Sequence, residues 1–390
     1  MPLNIAANEI SELAHKAAFF EEVVLRLLEP VRPFLGGDRP DVSEVLINGP
    51  DDIYVEVGGR LQRVPGCRFA DGEALLAAAR AIAQYSGKLL VPETLSMEAR
   101  LPDQSRVHIV QPPAARNGLS MAIRRFRKID SSKTGMSWLV EQGAVAPDVA
   151  TFLKVCVELK KNVLISGGTS TGKTTFLNAI TEFMQGDERL IVIEDVNELD
   201  VVPEHTVYFE AQRPDRFGRG GISIRELFQA SLRMRPDRIL VGECRGGEAL
   251  DMIQAMTSGH SGSITTLHAN TPLDALHRLE TMALMSDIAL PQKPLRQQIT
   301  QAVDIIVQLE RLPSTRQRGM VQVSEVIGLD ANGAFETLDI FSKSAAAYTR
   351  RSADDTTALT KMAGNTVSFS ADARLVAGAL GIEVAELGWI

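Results

Sequence analysis

Asn162-Val163-Leu164-Ile165-Ser166-Gly167-Gly168-Thr169-Ser170-Thr171-Gly172-Lys173-Thr174-Thr175-Phe176-Leu177-Asn178-Ala179 passes from an apolar run through a glycine-rich loop into a helix-forming run. Its centre, Gly167 to Thr174, fits G-x-x-x-x-G-K-[ST]. The context is the one such a loop needs, a strand before it and a helix after it. Backbone N–H groups of the loop cradle phosphates, and the helix N-terminus adds a favourable dipole. The spacing predicts a nucleotide cradle of Gly167, Gly168, Thr169, Ser170, Thr171, Gly172, Lys173, Thr174 and Thr175. In it Lys173 reaches the β- and γ-phosphates of ATP and the Thr174 hydroxyl ligates Mg2+. A chance glycine-rich turn accounts poorly for strand, loop and helix together.

Downstream, strands and helices alternate. LIVIE (190–194), RILVG (238–242) and SITTL (263–267) read as strands. Ser223 with Glu226 forms a capping box, and Thr271-Pro272 gives an N-cap followed by a proline at the first helical position. Alternation of this kind predicts an α/β fold, a mainly parallel sheet covered by helices on both faces. VQVSEVIGL (321–329) and FETLDIF (335–341) flank Asn332-Gly333 as a closing hairpin. Upstream, a helix is expected over Asn8–Leu28. Short strands follow at SEVLI (43–47), DIYVEV (52–57) and RLQRV (60–64), then a helix near Gly72 to Gln84. With further strands at 106–110 and 120–126, this makes a small α+β domain.

Two strand ends carry acids. RILVGE places Gly242 where nucleotide-binding proteins of this kind usually carry a magnesium-holding Asp, with Glu243 next. A carboxylate there is well placed to orient or deprotonate an attacking water. Ile193-Glu194-Asp195-Val196-Asn197-Glu198-Leu199 repeats the pattern, and His260 and His268 bracket the SITTL strand. These histidines lack a clustered ligand set, so γ-phosphate sensing is the expectation rather than metal binding. Cys244, beside Glu243, reads first as a packing residue, with oxidation as the alternative.

Composition sets bounds. The chain has 390 residues, enough for two domains, and its net charge of −8 provides no bulk attraction to nucleic acid or anionic lipid. The basic run Arg124-Arg125-Phe126-Arg127-Lys128 therefore reads as an interface or solvated strand end, and no direct nucleic-acid partner is expected. No apolar run nears the roughly 18 residues of a membrane span, and the first residues lack a signal-peptide pattern. Three scattered cysteines argue against a disulfide framework or zinc site. A cytoplasmic location is expected.

P-loop, acidic box, Gly-Glu strand end and histidine box, in this order, resemble the type II/type IV secretion ATPase superfamily. LRMRPDRILVGECRGGEALDMIQAM (232–256) and TLHANTPLDALHRLETMALM (266–285) are most similar to the CpaF branch, which serves Tad/Flp pilus assembly. GGTSTGKTTFLNA (167–179) also resembles the type IV secretion branch of DNA and effector transfer. The likeness covers roughly residues 41–341, including NGPDDIYVE (48–56), ARLPDQSRVHIVQPP (99–113) and MAIRRF (121–126). After an N-terminal helical segment (1–40), it implies an α+β, PAS-like domain (41–128) and a RecA-like ATPase domain (148–341); composition instead marks a Ser-, Thr- and Gly-bearing linker (129–147) and, after Phe341, where no family pattern matches, a flexible linker and C-terminal tail (342–390). The likeness also implies catalytic roles for Glu243 and Lys173, and for Glu194 and Glu198 near Mg2+ and water, with Glu194 reaching the metal through water. His268 would lie at the γ-phosphate. Arginines among Arg100, Arg106, Arg124 and Arg125, chiefly Arg106 and Arg124, would reach the nucleotide site or a subunit interface. Roles for Arg213, Arg216 and Arg219 stay open.

The implied assembly is a homohexamer that works through inner-membrane platform proteins, to which it would be peripherally bound. The expected function is ATP hydrolysis driving assembly of a Tad/Flp pilus, with retraction as the alternative direction of work. The alternatives are a type IV secretion or conjugation traffic ATPase and, from other classes, a RecA-type nucleic-acid motor or a nucleotide-gated scaffold.

Overall fold

The computed structural model describes residues 19–36, 39–126, 135–184, 186–212, 214, 219–288, 290–311, 318–342 and 360–361. Two compact units are formed, Met1–Lys128 and Ile129–Ile390.

The first unit begins with helix α1 (19–27); the expected helix from Asn8 lies outside the described residues up to position 18. Strands β1 (Val42–Asn48), β2 (Ile53–Val57) and β3 (Arg60–Arg63) follow, then helix α2 (Gly72–Tyr85) and strands β4 (Ser96–Arg100), β5 (Arg106–Val110) and β6 (Ser120–Arg124). The six strands pair antiparallel in the order β3-β2-β1-β6-β5-β4. Asp71 caps α2 by accepting from Ala74 N at 2.8 Å. Leu75, Ala78, Ala79, Ile82 and Ala83 recur at helical spacing and are buried with Val45, Ile47, Val107, Ile109 and Ile123 of the sheet.

In the second unit, helices α3 (Met136–Glu141) and α4 (Pro147–Glu158) lead into β7 (Val163–Gly167), α5 (Lys173–Ile180), β8 (Leu190–Glu194) and β9 (Thr206–Glu210). Then come α6 (Ile224–Ser231), β10 (Arg238–Val241), α7 (Glu248–Thr257), β11 (Ile264–Leu267), α8 (Pro272–Leu284) and α9 (Gln292–Ala302). Strands β12 (Ile305–Arg311), β13 (Arg318–Leu329) and β14 (Phe335–Ser342) close the unit, with two residues, Thr360–Lys361, pairing on β14 as β15. The sheet order is β15-β14-β13-β12-β7-β11-β10-β8-β9. From β12 to β9 every pairing is parallel. Both sheet faces are covered: Val163, Ile165, Leu190 and Val192 enter a core with α4 and α5, while Leu164, Ile191 and Ile193 enter one with α6 to α9. Successive strand residues point to opposite faces, which is why these strands read as unbroken apolar runs.

The segment read as a linker is partly structured. Met136, Leu139, Val145 and Ala146 are buried in the first of these cores, and Met136 N donates to Glu182 Oε2 at 2.9 Å. Its polar composition hid a short apolar helical repeat. Of the expected tail, the residues beyond Ser342 lie outside the described residues, apart from Thr360 and Lys361. Among the described residues no helix is long and apolar enough to cross a membrane.

At the N-terminal end of β10, Arg238 is 1% exposed and forms a two-point pair with Glu188, Nε to Oε2 at 2.6 Å and Nη2 to Oε1 at 3.1 Å. Lys160 Nζ adds a contact to Glu188 at 3.1 Å. Burial works to raise the Glu188 pKa, but Arg238 and then Lys160 outweigh it and hold it below its ordinary value of 4.5. The stability this pair contributes is therefore fully present above about pH 4.5 and fades as pH falls through the lowered pKa. Glu188→Ala strands a buried guanidinium, and we expect it to reduce the unfolding free energy by about 3–5 kcal/mol at neutral pH. Denaturant unfolding of the full chain measures this, and a loss below about 1 kcal/mol contradicts it.

Candidate active site

Parallel strands that begin in register also end together. Leu267 of β11 pairs with Ser166 of β7, and Val241 of β10 pairs with both Thr265 of β11 and Ile193 of β8. The C-terminal ends of β7, β11, β10 and β8 therefore deliver the Gly167–Thr174 loop, His268, Glu243 and Glu194 to one sheet edge, on strands spaced by roughly 4.8 Å. Acids and histidine that lie up to a hundred residues apart in the chain become neighbours.

Between β7 and α5 the loop turns through Ser170 at φ +58° and Gly172 at φ +97°. Gly172 sits at the N-cap of α5 in the left-handed region, where a side chain is strained. Lys173 opens the helix with its side chain folded back into the loop. Its Nζ donates to Gly167 O at 3.0 Å and Gly168 O at 2.9 Å, and lies 3.3 Å from His268 Nδ1. Burial lowers the Lys173 pKa, partly offset by Glu243. The Thr174 hydroxyl donates to Glu198 Oε2 at 3.5 Å.

Glu243 Oε1 is 3.0 Å from His268 Nε2, and Glu243 Oε2 accepts from Arg245 Nη2 at 2.7 Å. Burial opposes charge on Glu243, but the cations beside it, Arg245 foremost, prevail and hold its carboxyl below the usual carboxylate range. His268 is shifted downward, first by burial and then by Lys173. The ring is thus neutral at pH 7. An ammonium can only donate, so Nδ1 accepts from Lys173 and the ring proton resides on Nε2, facing Glu243. This set can bind a polyphosphate at the loop and hold a charged base beside it.

Glu194 has a different place from Glu243. It is 5% exposed, and its Oε1 accepts from the backbone N–H groups of Glu198 at 2.9 Å and Leu199 at 3.0 Å. It therefore fixes the turn that carries Glu198 toward Thr174. It also explains the glycine at 242, because a Cβ there would stand 3.0 Å from Glu194 Cγ. The residues fit a magnesium nucleotide: a buried ammonium, a threonine hydroxyl and two carboxylates converge at a helix N-terminus.

Other expectations are redrawn. His260 precedes β11 and His268 follows it, so His260 lies at the opposite sheet edge, where its carbonyl accepts from Ser263 Oγ at 2.8 Å. Bracketing a strand separates the two histidines instead of joining them. Cys244 is 1% exposed within the second core, and burial pushes its thiol far up, which leaves packing as its role. In the first unit Arg106 pairs in register with Arg100 on one side and Arg124 on the other, a row of arginines across β4, β5 and β6. Arg125 is structural, donating to Gly36 O at 2.8 Å and Val42 O at 3.2 Å. Arg213 and Arg216 lie outside the described residues.

Two arginines were not singled out from sequence. Arg245 bridges Glu243 and Asp195, its Nη1 lying 3.1 Å from Asp195 Oδ2. Arg318, at the start of β13, has its Cδ 3.8 Å from where a Gly172 Cβ would be. The signal for Arg245 was its place two residues after Glu243; Arg318 offered none, since only β-pairing brings it to the loop.

The chain is 34% identical over 306 residues to the type IV secretion system protein PtlH of Bordetella pertussis, covering 73% of this chain and 89% of the relative. It is 32% identical over 339 residues to the type IV secretion system protein VirB11 of Bartonella henselae, covering 78% and 92%. Among solved structures, the ATPase DotB of Yersinia pseudotuberculosis matches with a TM-score of 0.52 and 19% identity over 79% of each chain, a likeness of fold. The architecture is a RecA-like P-loop domain with a smaller N-terminal α+β domain. Residues 28–367 match the family model described as type II/IV secretion system protein, and the chain belongs to that family.

Proposed function

We propose that this protein is an ATPase that powers a type IV secretion-type apparatus, acting as a cytoplasmic homohexamer docked on inner-membrane partners. The observation that carries the ATPase reading is the convergence of Lys173, His268 and Glu243 within 3.3 Å steps of one another beside the P-loop. The relatives named for type IV secretion favour that apparatus over a pilus. The wording of residues 232–256 and 266–285 favours the second reading, a CpaF-like motor for Tad/Flp pilus assembly. Neighbouring relaxase and coupling-protein genes would support the first; pilin and prepilin-peptidase genes would support the second.

In this proposal the loop N–H groups and Lys173 hold the phosphates of ATP, and Thr174 holds Mg2+, with Glu194 acting on it through water. The metal would supply neutralisation of phosphate charge. Glu243, ionised at neutral pH, accepts the proton of the attacking water, and His268 orients it through Nε2. Glu198 holds the Thr174 hydroxyl. Arg106 and Arg124 are proposed to supply charge to a neighbouring subunit's site.

Lys173→Ala removes the cation that meets the phosphates and is expected to lower turnover by about 10²–10³-fold. A purified variant that hydrolyses ATP at the parent rate ends the P-loop assignment.

Glu243→Gln keeps shape and loses the base, so ATP binding persists while single-turnover hydrolysis slows by about 10²–10⁴-fold. Fluorescent-nucleotide binding read beside that assay separates the two steps. Unimpaired hydrolysis moves the catalytic acid elsewhere, with Glu194 next.

Arg106→Ala is expected to slow turnover by about 10³-fold if Arg106 acts in trans. Mixing these subunits with Lys173→Ala subunits should then restore activity that neither variant has alone. Co-assembled mixtures that stay inactive confine Arg106 to its own subunit.

A further inference from the structure

A continuous line of polar contacts crosses the sheet edge. Lys173 Nζ meets His268 Nδ1 at 3.3 Å, and His268 Nε2 meets Glu243 Oε1 at 3.0 Å. Glu243 Oε2 meets Arg245 Nη2 at 2.7 Å, and Arg245 Nη1 meets Asp195 Oδ2 at 3.1 Å. Four strand ends are thereby tied into one chain of donors and acceptors. Both oxygens of Glu243 are engaged, so neither rotation of the carboxylate nor withdrawal toward solvent is free.

Arg245 has the chemistry for this place. Its guanidinium is planar and always charged, and its separate N–H groups address two carboxylates at once. The main chain below it is fixed as well, since Glu248 Oε1 accepts from Arg245 N at 2.7 Å and from Gly246 N at 2.8 Å. The side chain remains 53% exposed, which leaves it reachable by solutes. A buried guanidinium would have been needed for the fold; a half-exposed one between a candidate base and an acidic strand end holds a local arrangement.

We propose that Arg245 is a positioning residue for the hydrolytic reaction, clamping Glu243 against His268 and anchoring that clamp on Asp195 in the same subunit. The inference rests on the ATPase reading above. It assigns a cis arginine to the site, distinct from the Arg106 and Arg124 proposal. The side-chain contacts of Arg245 are to Glu243 and Asp195, so its loss is expected to act on turnover and to leave nucleotide affinity nearly unchanged. Misplacing a catalytic group by about 1 Å can cost about a hundredfold in rate, and that is the loss expected for Arg245→Ala. Arg245→Lys retains the charge but cannot bridge both carboxylates with the same fork, and is expected to recover little.

The test measures kcat and KM for ATP with the full chain, its Arg245→Ala and Arg245→Lys variants, and the alanine variant supplied with millimolar guanidinium. Sodium chloride at equal ionic strength is the control, and thermal unfolding verifies that all three chains are folded alike. The proposal expects kcat to fall about a hundredfold in Arg245→Ala with KM within about threefold. Added guanidinium, but not sodium chloride, should restore at least about a tenth of the lost turnover. It is overturned if the alanine variant turns over within about twofold of the parent, if KM rises while kcat stays, or if guanidinium restores nothing. A parent chain that is folded and inert overturns the ATPase reading and this inference with it, whereas an active parent beside an unaffected Arg245→Ala overturns the inference alone.

Discussion

Parallel register among β7, β11, β10 and β8 is the constraint on which the site depends. Side chains alternate along a strand, so a slip of one residue sends every core side chain to the other face. Here that slip would move Leu164, Ile191 and Ile193 out of one core and Val163, Ile165 and Val192 out of the other. Both cores oppose it. The same register sets where each strand stops, and so fixes the P-loop, His268, Glu243 and Glu194 relative to one another. Core packing thus does the aligning that a catalytic site requires.

Within that frame, charges are arranged so that each has a partner of opposite sign or a dipole. Lys173 is desolvated yet satisfied by two loop carbonyls and a histidine nitrogen. Burial would discourage charge on Glu243, but the cations around it outweigh burial and keep it ionised. His268, neutral between an ammonium and a carboxylate, can connect them without adding a third charge. Glu194 satisfies two backbone N–H groups and makes a turn where a free strand end would otherwise be.

The opposite sheet edge uses the same chemistry for stability. Arg238 and Glu188 form a pair nearly excluded from solvent, with Lys160 alongside. Asn162 reaches across that edge, accepting from Gly262 N at 2.9 Å and Ser263 N at 3.0 Å and donating to Ala302 O at 2.7 Å. One end of the parallel sheet is closed by buried polar contacts among Arg238, Glu188 and Asn162, and the other presents its polar groups at a loop whose sequence fits a phosphate cradle.

Much of this was legible in the residues alone. Apolar runs bounded by glycine give the parallel strands, Ser223 with Glu226 and Thr271 give helix starts, and Gly167 to Thr174 gives the loop, because these rest on local spacing and backbone chemistry. Glu243, His268 and Glu198 were legible as candidates because they stand at or just beyond strand ends after apolar runs. What the sequence alone could not decide was distance. Residues 136–146 of the segment that reads as a linker (129–147) are helical in part because a short apolar repeat sits in a polar stretch. The separation of His260 from His268, the bridge from Arg245 to Asp195 and the approach of Arg318 to the loop depend on strand direction, neighbour and register, which are set by hydrogen bonds between segments far apart in the chain. A one-dimensional pattern identifies groups able to do chemistry; only the folded sheet decides which of them meet.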